Sequence, residues 1–308
     1  MAKKSGTAKQ ELQVMEFLRL GGKKLPAGFA GKVAASSKAL RQRQLKAETT
    51  TRLQGEKLFS ALKGASTVAV DDPANKKALD GLLSWHKKLA ATRLAFPRPP
   101  GGIGGSLPGT ISGTVVAPFD YADTIPSLLA NVTNPTLAVS ANVDGQISAS
   151  AASAQALGFN GGGEFARVGI FFHPIVAGTL TVTTSPIYSF QWSTNSLNTT
   201  PVESSGTIGL AIYGMNDFGQ ILATAGGGTA ESWQELNTGQ VNFDFGFNLQ
   251  KPLVASLPVT PSLVYLCFVS IDAFVFGEGW PGSLATAMAS ATVPSISYVF
   301  TPRLVLHP

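Results

Sequence analysis

The chain has 308 residues, 44% of them hydrophobic and only 13% charged, where an average globular chain carries about 25% charged residues. That hydrophobic share excludes wholesale disorder, and a single cysteine, Cys267, excludes an internal disulfide. The formal net charge of +5 describes neither half: residues 1–100 hold 20 of the 23 Lys and Arg and 7 of the 18 Asp and Glu, a balance of +13, which leaves residues 101–308 at −8.

The chain opens on MAKKSGTAKQELQ, cationic but not followed by an apolar core segment. A secretory signal is therefore not expected, which places the protein in the cytoplasm or packaged in, or exported with, a particle. A short helix is predicted over 8–20 and a longer one over 32–64. The leucines of the longer one, at 40, 45, 53, 58 and 62, are sparse, and Gly55 weakens its middle. A further helix is predicted over 71–96, with Asp72 as N-cap and Pro73 at its first position. Leu79, Leu82, Leu83, His86, Leu89 and Ala90 recur along one of its faces. Pro97 ends it, because the residue before a proline avoids the helical region. With so few apolar residues, these helices are expected to form a loose basic arm, residues 1–95.

Residues 96–109, within LAFPRPPGGIGGSLPG, form a proline and glycine hinge. Beyond it the pattern changes. Short runs rich in Val, Ile, Thr, Phe and Tyr alternate with turn residues, giving about twelve predicted strands and no long helix between them. In one run Val241, Phe243, Phe245 and Phe247 alternate with Asn242, Asp244 and Gly246. Glycine-bearing segments such as VDGQ, FNGGGEF, GMNDFGQ and TAGGGTAES read as connections. ISASAASAQALG and ATAMASATVPS read as strands whose small side chains allow close sheet packing. Residues 110–308 are thus predicted to be an acidic antiparallel β-sandwich, jelly-roll-like. The most apolar run, PSLVYLCFVSIDAFVFGEGW, contains Asp272 and Glu278 and falls short of a transmembrane span, so none is expected. Cys267, within VYLCFV, reads as a small buried apolar residue.

Specific catalytic motifs are absent: there is no G-x-S-x-G elbow, no phosphate-binding glycine loop and no zinc-ligand spacing. No catalytic residue, no metal ligand and no cofactor is assigned, and the protein is expected not to be an enzyme. Weaker features remain. Glu231 and Glu235 would share a face on a helical turn, and Asp120 and Asp123 form a second carboxylate pair, the minimum for a glycosidase. Calcium would find oxygen ligands in Asp120, Asp123, Asp144, Asp217 or Asp244, without a loop signature. His173 reads as a strand-end residue satisfied by a neighbour, and Arg167 as paired with a nearby carboxylate such as Glu164.

Trp192, Trp233 and Trp280 stand beside polar or turn residues, as aromatics do on sugar-binding sandwiches. They are the candidate ligand-binding residues, Trp233 and Trp280 being the expected exposed pair. In the arm, Arg41, Arg43, Lys76, Lys77, Lys87, Lys88 and Arg93 are the candidate contacts to an anionic partner. That partner is a nucleic acid, an acidic protein or an anionic membrane surface.

The expected function is that of a non-enzymatic interaction protein. Its sandwich binds a glycan or protein or associates with itself, and its arm docks an anionic partner. The alternatives are a coat or particle subunit, and an enzyme or toxin with a glycosidase-like carboxylate site. For the coat reading, the order of basic arm, Gly/Pro hinge and β-sandwich resembles the layout of small icosahedral RNA-virus coat proteins. The resemblance spans the whole chain as layout, without a shared motif, and implies a shell-forming body and an arm that contacts nucleic acid.

Overall fold

The computed structural model describes residues 28–39, 110–128, 135–153, 159–196, 202–237, 241–278 and 283–303. A helix, α1, covers 29–39. It is followed by β1 (Ile111–Val116), β2 (Tyr121–Leu128), β3 (Thr136–Ala141), β4 (Gln146–Ala152), β5 (Phe159–Phe172), β6 (Gly178–Thr184) and β7 (Ile187–Asn195). Then come β8 (Val202–Met215), β9 (Ile221–Asn237), β10 (Val241–Gln250), β11 (Leu253–Val259), β12 (Val264–Glu278), β13 (Leu284–Thr292) and β14 (Ser295–Pro302). All pairings are antiparallel, and the body is the expected β-sandwich.

One layer is sheet I, in the order β2-β5-β12-β8-β9. Facing it are sheet II, β10-β7-β13-β4-β3, and sheet III, β1-β14-β6-β11. Sheets II and III are two halves of one folded layer. Gln250 pairs with Ile187 in sheet II and Leu253 with Thr184 in sheet III, so the same register runs across the break. Each of the three chains crossing the break carries a proline there: Pro186, Pro252 and Pro294. A proline has no amide to give to a ladder, and three in a row end the pairing along one line. On the third crossing an extra residue is inserted, since Thr292 pairs with Ile187 but Ile296 with Thr184. Burial accordingly shifts from odd positions (Ala287, Ala289, Ala291, Val293) to even ones (Ile296, Tyr298, Phe300). The insertion keeps the apolar face turned inward on both sides of the fold.

The core lies between the layers. Along β12 the odd residues Tyr265, Cys267, Val269, Ile271, Ala273 and Val275 face it. Opposite stand the small residues of β4 and β13, among them Ala149, Ala151, Ala285 and Ala287, as their alanine and serine content predicts. Cys267 is fully buried, and burial pushes its thiol well above the usual range.

The structure departs from the sequence reading in several places. Two strands were not predicted, β2 and β11. Both are edge strands and contain a proline, Pro126 and Pro258, tolerated there because an edge amide needs no partner. The triple-glycine runs expected as connections lie inside β5 and β9. At Gly163 a side chain would collide with Phe274 of β12, and at Gly227 with Ala255 of β11. These glycines admit close neighbours instead of turning the chain. The other two glycine turns hold, with Gly145 at φ +90° and Gly219 at φ +75°. Of the helix expected over 32–64, residues 32–39 are described, within α1, which begins earlier, at 29. It is packed, not loose, since Phe29, Val33 and Ser37 recur every four residues and are buried on the outer face of sheet I. The rest of that helix, the helices over 8–20 and 71–96, and the hinge lie outside the described residues.

Candidate functional site

The expected ligand-binding tryptophans do not form one platform. Trp233, expected to be exposed, is only 8% accessible. Its ring stacks on Phe190 (centroids 5.7 Å apart), and its Nε1 donates to Ser204 Oγ at 3.2 Å. The cause is Gly206, its cross-strand partner, where a Cβ would sit 2.2 Å from the indole. The missing side chain opens the slot that the ring fills. Trp192 is half-buried against the core, and Trp280 lies outside the described residues, as do Arg41, Arg43, Lys76, Lys77, Lys87, Lys88 and Arg93.

Glu231 and Glu235 lie on strand β9, not on a helical turn. Four residues of strand separate them by about 13 Å, beyond the roughly 5–10 Å that a glycosidase pair spans. Asp120 accepts from the Phe171 amide (3.1 Å), Asp144 sits in the β3–β4 turn beside Asn142, and Asp123 is committed to Arg167. Among the described residues no group of three or more His, Cys, Asp or Glu could hold a metal. His173 is satisfied as expected, its Nε2 donating to the Pro261 carbonyl at 3.1 Å. Glu164 is 5% exposed and leaves Oε2 without a hydrogen bond, and burial raises its pKa.

Arg167 does not pair with Glu164. In β5 the two have opposite parity, so Arg167 points to the outer face of sheet I and Glu164 to the inner one. Its partner is Asp123, directly across in β2. Nε donates to Asp123 Oδ1 at 2.7 Å and Nη2 to Oδ2, while Nη2 also reaches Tyr121 Oη and Nη1 reaches Ser37 Oγ of α1, both at 3.0 Å. Tyr121 in turn donates to Asp123 Oδ2 at 2.6 Å. The guanidinium carbon lies 5.3–5.4 Å from the ring centres of Tyr121, Phe165 and Phe268, within cation–π range. Burial works against the charge of Arg167, but the Asp123 hydrogen bond and charge hold its pKa above the usual value. Burial likewise pushes the Tyr121 hydroxyl well up, with Arg167 pulling against it. This paired and largely buried cluster, with Arg167 1% and Asp123 13% accessible, clasps α1 to the body. A lone Arg in the apolar run FARVGIFF was its signal in the sequence. Its partner, 44 residues away, was not legible.

The second feature is exposed. Among the described residues β10 is an edge of sheet II, and it turns its apolar face outward. Val241, Phe243, Phe245 and Phe247 are 66%, 67%, 53% and 61% accessible. The phenylalanines follow one another along the strand, with ring centroids 6.5 and 5.5 Å apart. The inward side explains the orientation. Asn242 donates to Glu235 Oε1 at 2.7 Å, and at Gly246 a Cβ would meet the Phe190 ring at 2.7 Å. Only a polar, small-residue face fits there. Soluble monomers rarely expose apolar patches beyond a few hundred Å² without a partner.

No protein-family model and no curated protein sequence matches the chain. Among solved structures, the enzymatically active domain of bacteriophage CBA120 tailspike protein 4 overlaps 56% of this chain and 19% of its own length, at 9% identity and a TM-score of 0.19. The VP2 protein of infectious bursal disease virus, in T=1 particles of a D431N mutant, overlaps 67% of this chain and 45% of its own, at 12% identity and a TM-score of 0.16. A VP2 subviral particle of the same virus gives 67% and 46%, 11% identity and a TM-score of 0.16. The chain thus spans less than half the length of each of these proteins.

Proposed function

We propose that the chain is a structural assembly subunit. Its β-sandwich body associates with other protein copies, and its basic N-terminal segment meets an anionic polymer, the division of labour of a coat subunit. The observation that carries this reading is the aromatic stripe of β10, an apolar surface on a strand that is a sheet edge among the described residues. A sugar platform draws less support, because Trp233 is buried and Trp192 half-buried. The segregation of charge, +13 over residues 1–100 and −8 beyond, supports an anionic partner for the first segment. The body has only Arg167, Lys251 and Arg303 as cations, and Arg167 is spent on Asp123.

The test is electron microscopy and analytical ultracentrifugation of the purified full chain, with the A260/A280 ratio of each species. Closed particles carrying nucleic acid are expected. A monodisperse small species free of nucleic acid at every protein concentration would overturn the reading.

A further inference from the structure

We infer that β10 pairs antiparallel with β10 of a second copy of this chain, about a two-fold axis through Phe245, joining two five-stranded sheets into one. The inference rests on the assembly reading and names its contact.

A second copy is the occupant that the edge itself specifies. Centred on Phe245, antiparallel pairing sets Phe243 opposite Phe247 and Phe245 opposite its own counterpart. Asp244, the one charged residue of the strand, then faces Gly246. Aromatic cross-strand pairs are favourable, and like charges directly opposite are not. Moving the axis one residue, to Asp244, would bring two carboxylates together. Moving it to Phe243 would shorten the overlap and lose the Phe243–Phe247 pairs. The strand thus complements itself in one register.

The edge is also open where this register needs it. Natural edges are blunted by bulges, lysines and prolines. Here all three stand at the far end: the irregularity between Gly246 and Leu249 with Asn248 at φ 52°, then Lys251 and Pro252. From 241 to 247 there is neither a lysine nor a proline. The Phe245 amide donates to Asp244 Oδ1 at 2.8 Å, a contact that pairing exchanges for a main-chain carbonyl of the second copy. The stripe offers roughly 400 Å² of apolar side chain per copy. Two copies approach the low end of specific interfaces, about 1,000–1,200 Å² in total, once main-chain atoms are added. Such a contact is weak alone and gains when repeated in a larger assembly.

Cysteine cross-linking of the full chain tests the register. Cys267 is the only cysteine and is fully buried, so each engineered thiol acts alone. Under diamide, Phe245→Cys is expected to convert to a covalent dimer. Val241→Cys is expected to stay monomeric, because two copies of residue 241 would lie about 27 Å apart along the paired strands. Phe243→Lys with Phe247→Lys is expected to shift the non-covalent species to monomer in sedimentation. Absence of the Phe245→Cys dimer, or equal dimer from Val241→Cys, overturns the inference. So does an unchanged sedimentation profile in the double lysine variant. Wild-type particles without the Phe245→Cys dimer would sink this contact and leave the assembly reading standing. The dimer without particles would sink that reading alone.

Discussion

The outer faces of sheets I and II are both rich in phenylalanine and have opposite fates. On sheet I, Phe171 and Phe268 are 2% and 0% accessible beneath α1, whose Phe29 meets Phe171 edge-on at 5.8 Å. On sheet II, Phe243, Phe245 and Phe247 are all more than half exposed. The polar residues between the rings account for the difference. Sheet I carries a buried Arg–Asp pair that needs further donors and acceptors, and Ser37 of the helix completes it. Sheet II pairs hydroxyls across its own surface, Ser193 with Thr286 and Ser140 with Ser148, each at 2.7 Å. Its large exposed apolar side chains are concentrated toward the β10 edge, with Met288 of the central strand also 49% accessible. One face is covered within the chain; on the proposed reading, the other is completed by another copy.

The sharpest way to break this contrast is at the clasp. Arg167→Ala leaves Asp123, Tyr121 and Ser37 without their common partner in a buried site. It is expected to cost about 3–5 kcal/mol in urea unfolding. Replacing both charges, Arg167→Met with Asp123→Leu, is expected to recover more than half of that loss, since no lone buried charge remains. A loss under 1 kcal/mol for Arg167→Ala would mean that the helix holds its place by apolar contact alone. Next in size is Phe29→Ala, which removes the ring between α1 and Phe171 and is expected to cost about 3 kcal/mol. It should also render the backbone of 29–39 accessible to limited proteolysis.

The sandwich was legible because antiparallel strands that face a core on one side write alternation into their residues, as β6, β7, β13 and β14 do. What escaped had physical causes. The prolines of β2 and β11 mimic loop signals, and only their position at sheet edges makes them compatible with strands. The triple glycines of β5 and β9 mimic turns, because the same lack of a side chain serves both a bend and a close approach. Trp233 is buried through a gap left by Gly206, 27 positions earlier in the chain and adjacent only after β8 and β9 pair. At the clasp, the pairing of Arg167 with Asp123 depends on the β2–β5 register, which no local pattern encodes. The alternation in β10 announced an apolar face. Whether it points inward or outward is decided by Glu235 and Phe190 on neighbouring strands.

The smallest expected effect is also the most direct test of the contrast, because it repeats one substitution on the other face. Phe245→Ala removes the same ring as Phe29→Ala, but from a side chain already 53% accessible. Its cost at micromolar protein should stay under about 1 kcal/mol, the range of edge-strand propensity and surface substitutions. A partner that binds only the folded chain adds stability by mass action, so this cost should grow with protein concentration. Melting wild type and Phe245→Ala at two concentrations, well apart, separates the cases. Curves that coincide when dilute and diverge when concentrated mean that Phe245 stabilises a contact between copies. A loss near 3 kcal/mol at both concentrations would instead make Phe245 part of the monomer's own core, and the two faces would no longer differ in kind.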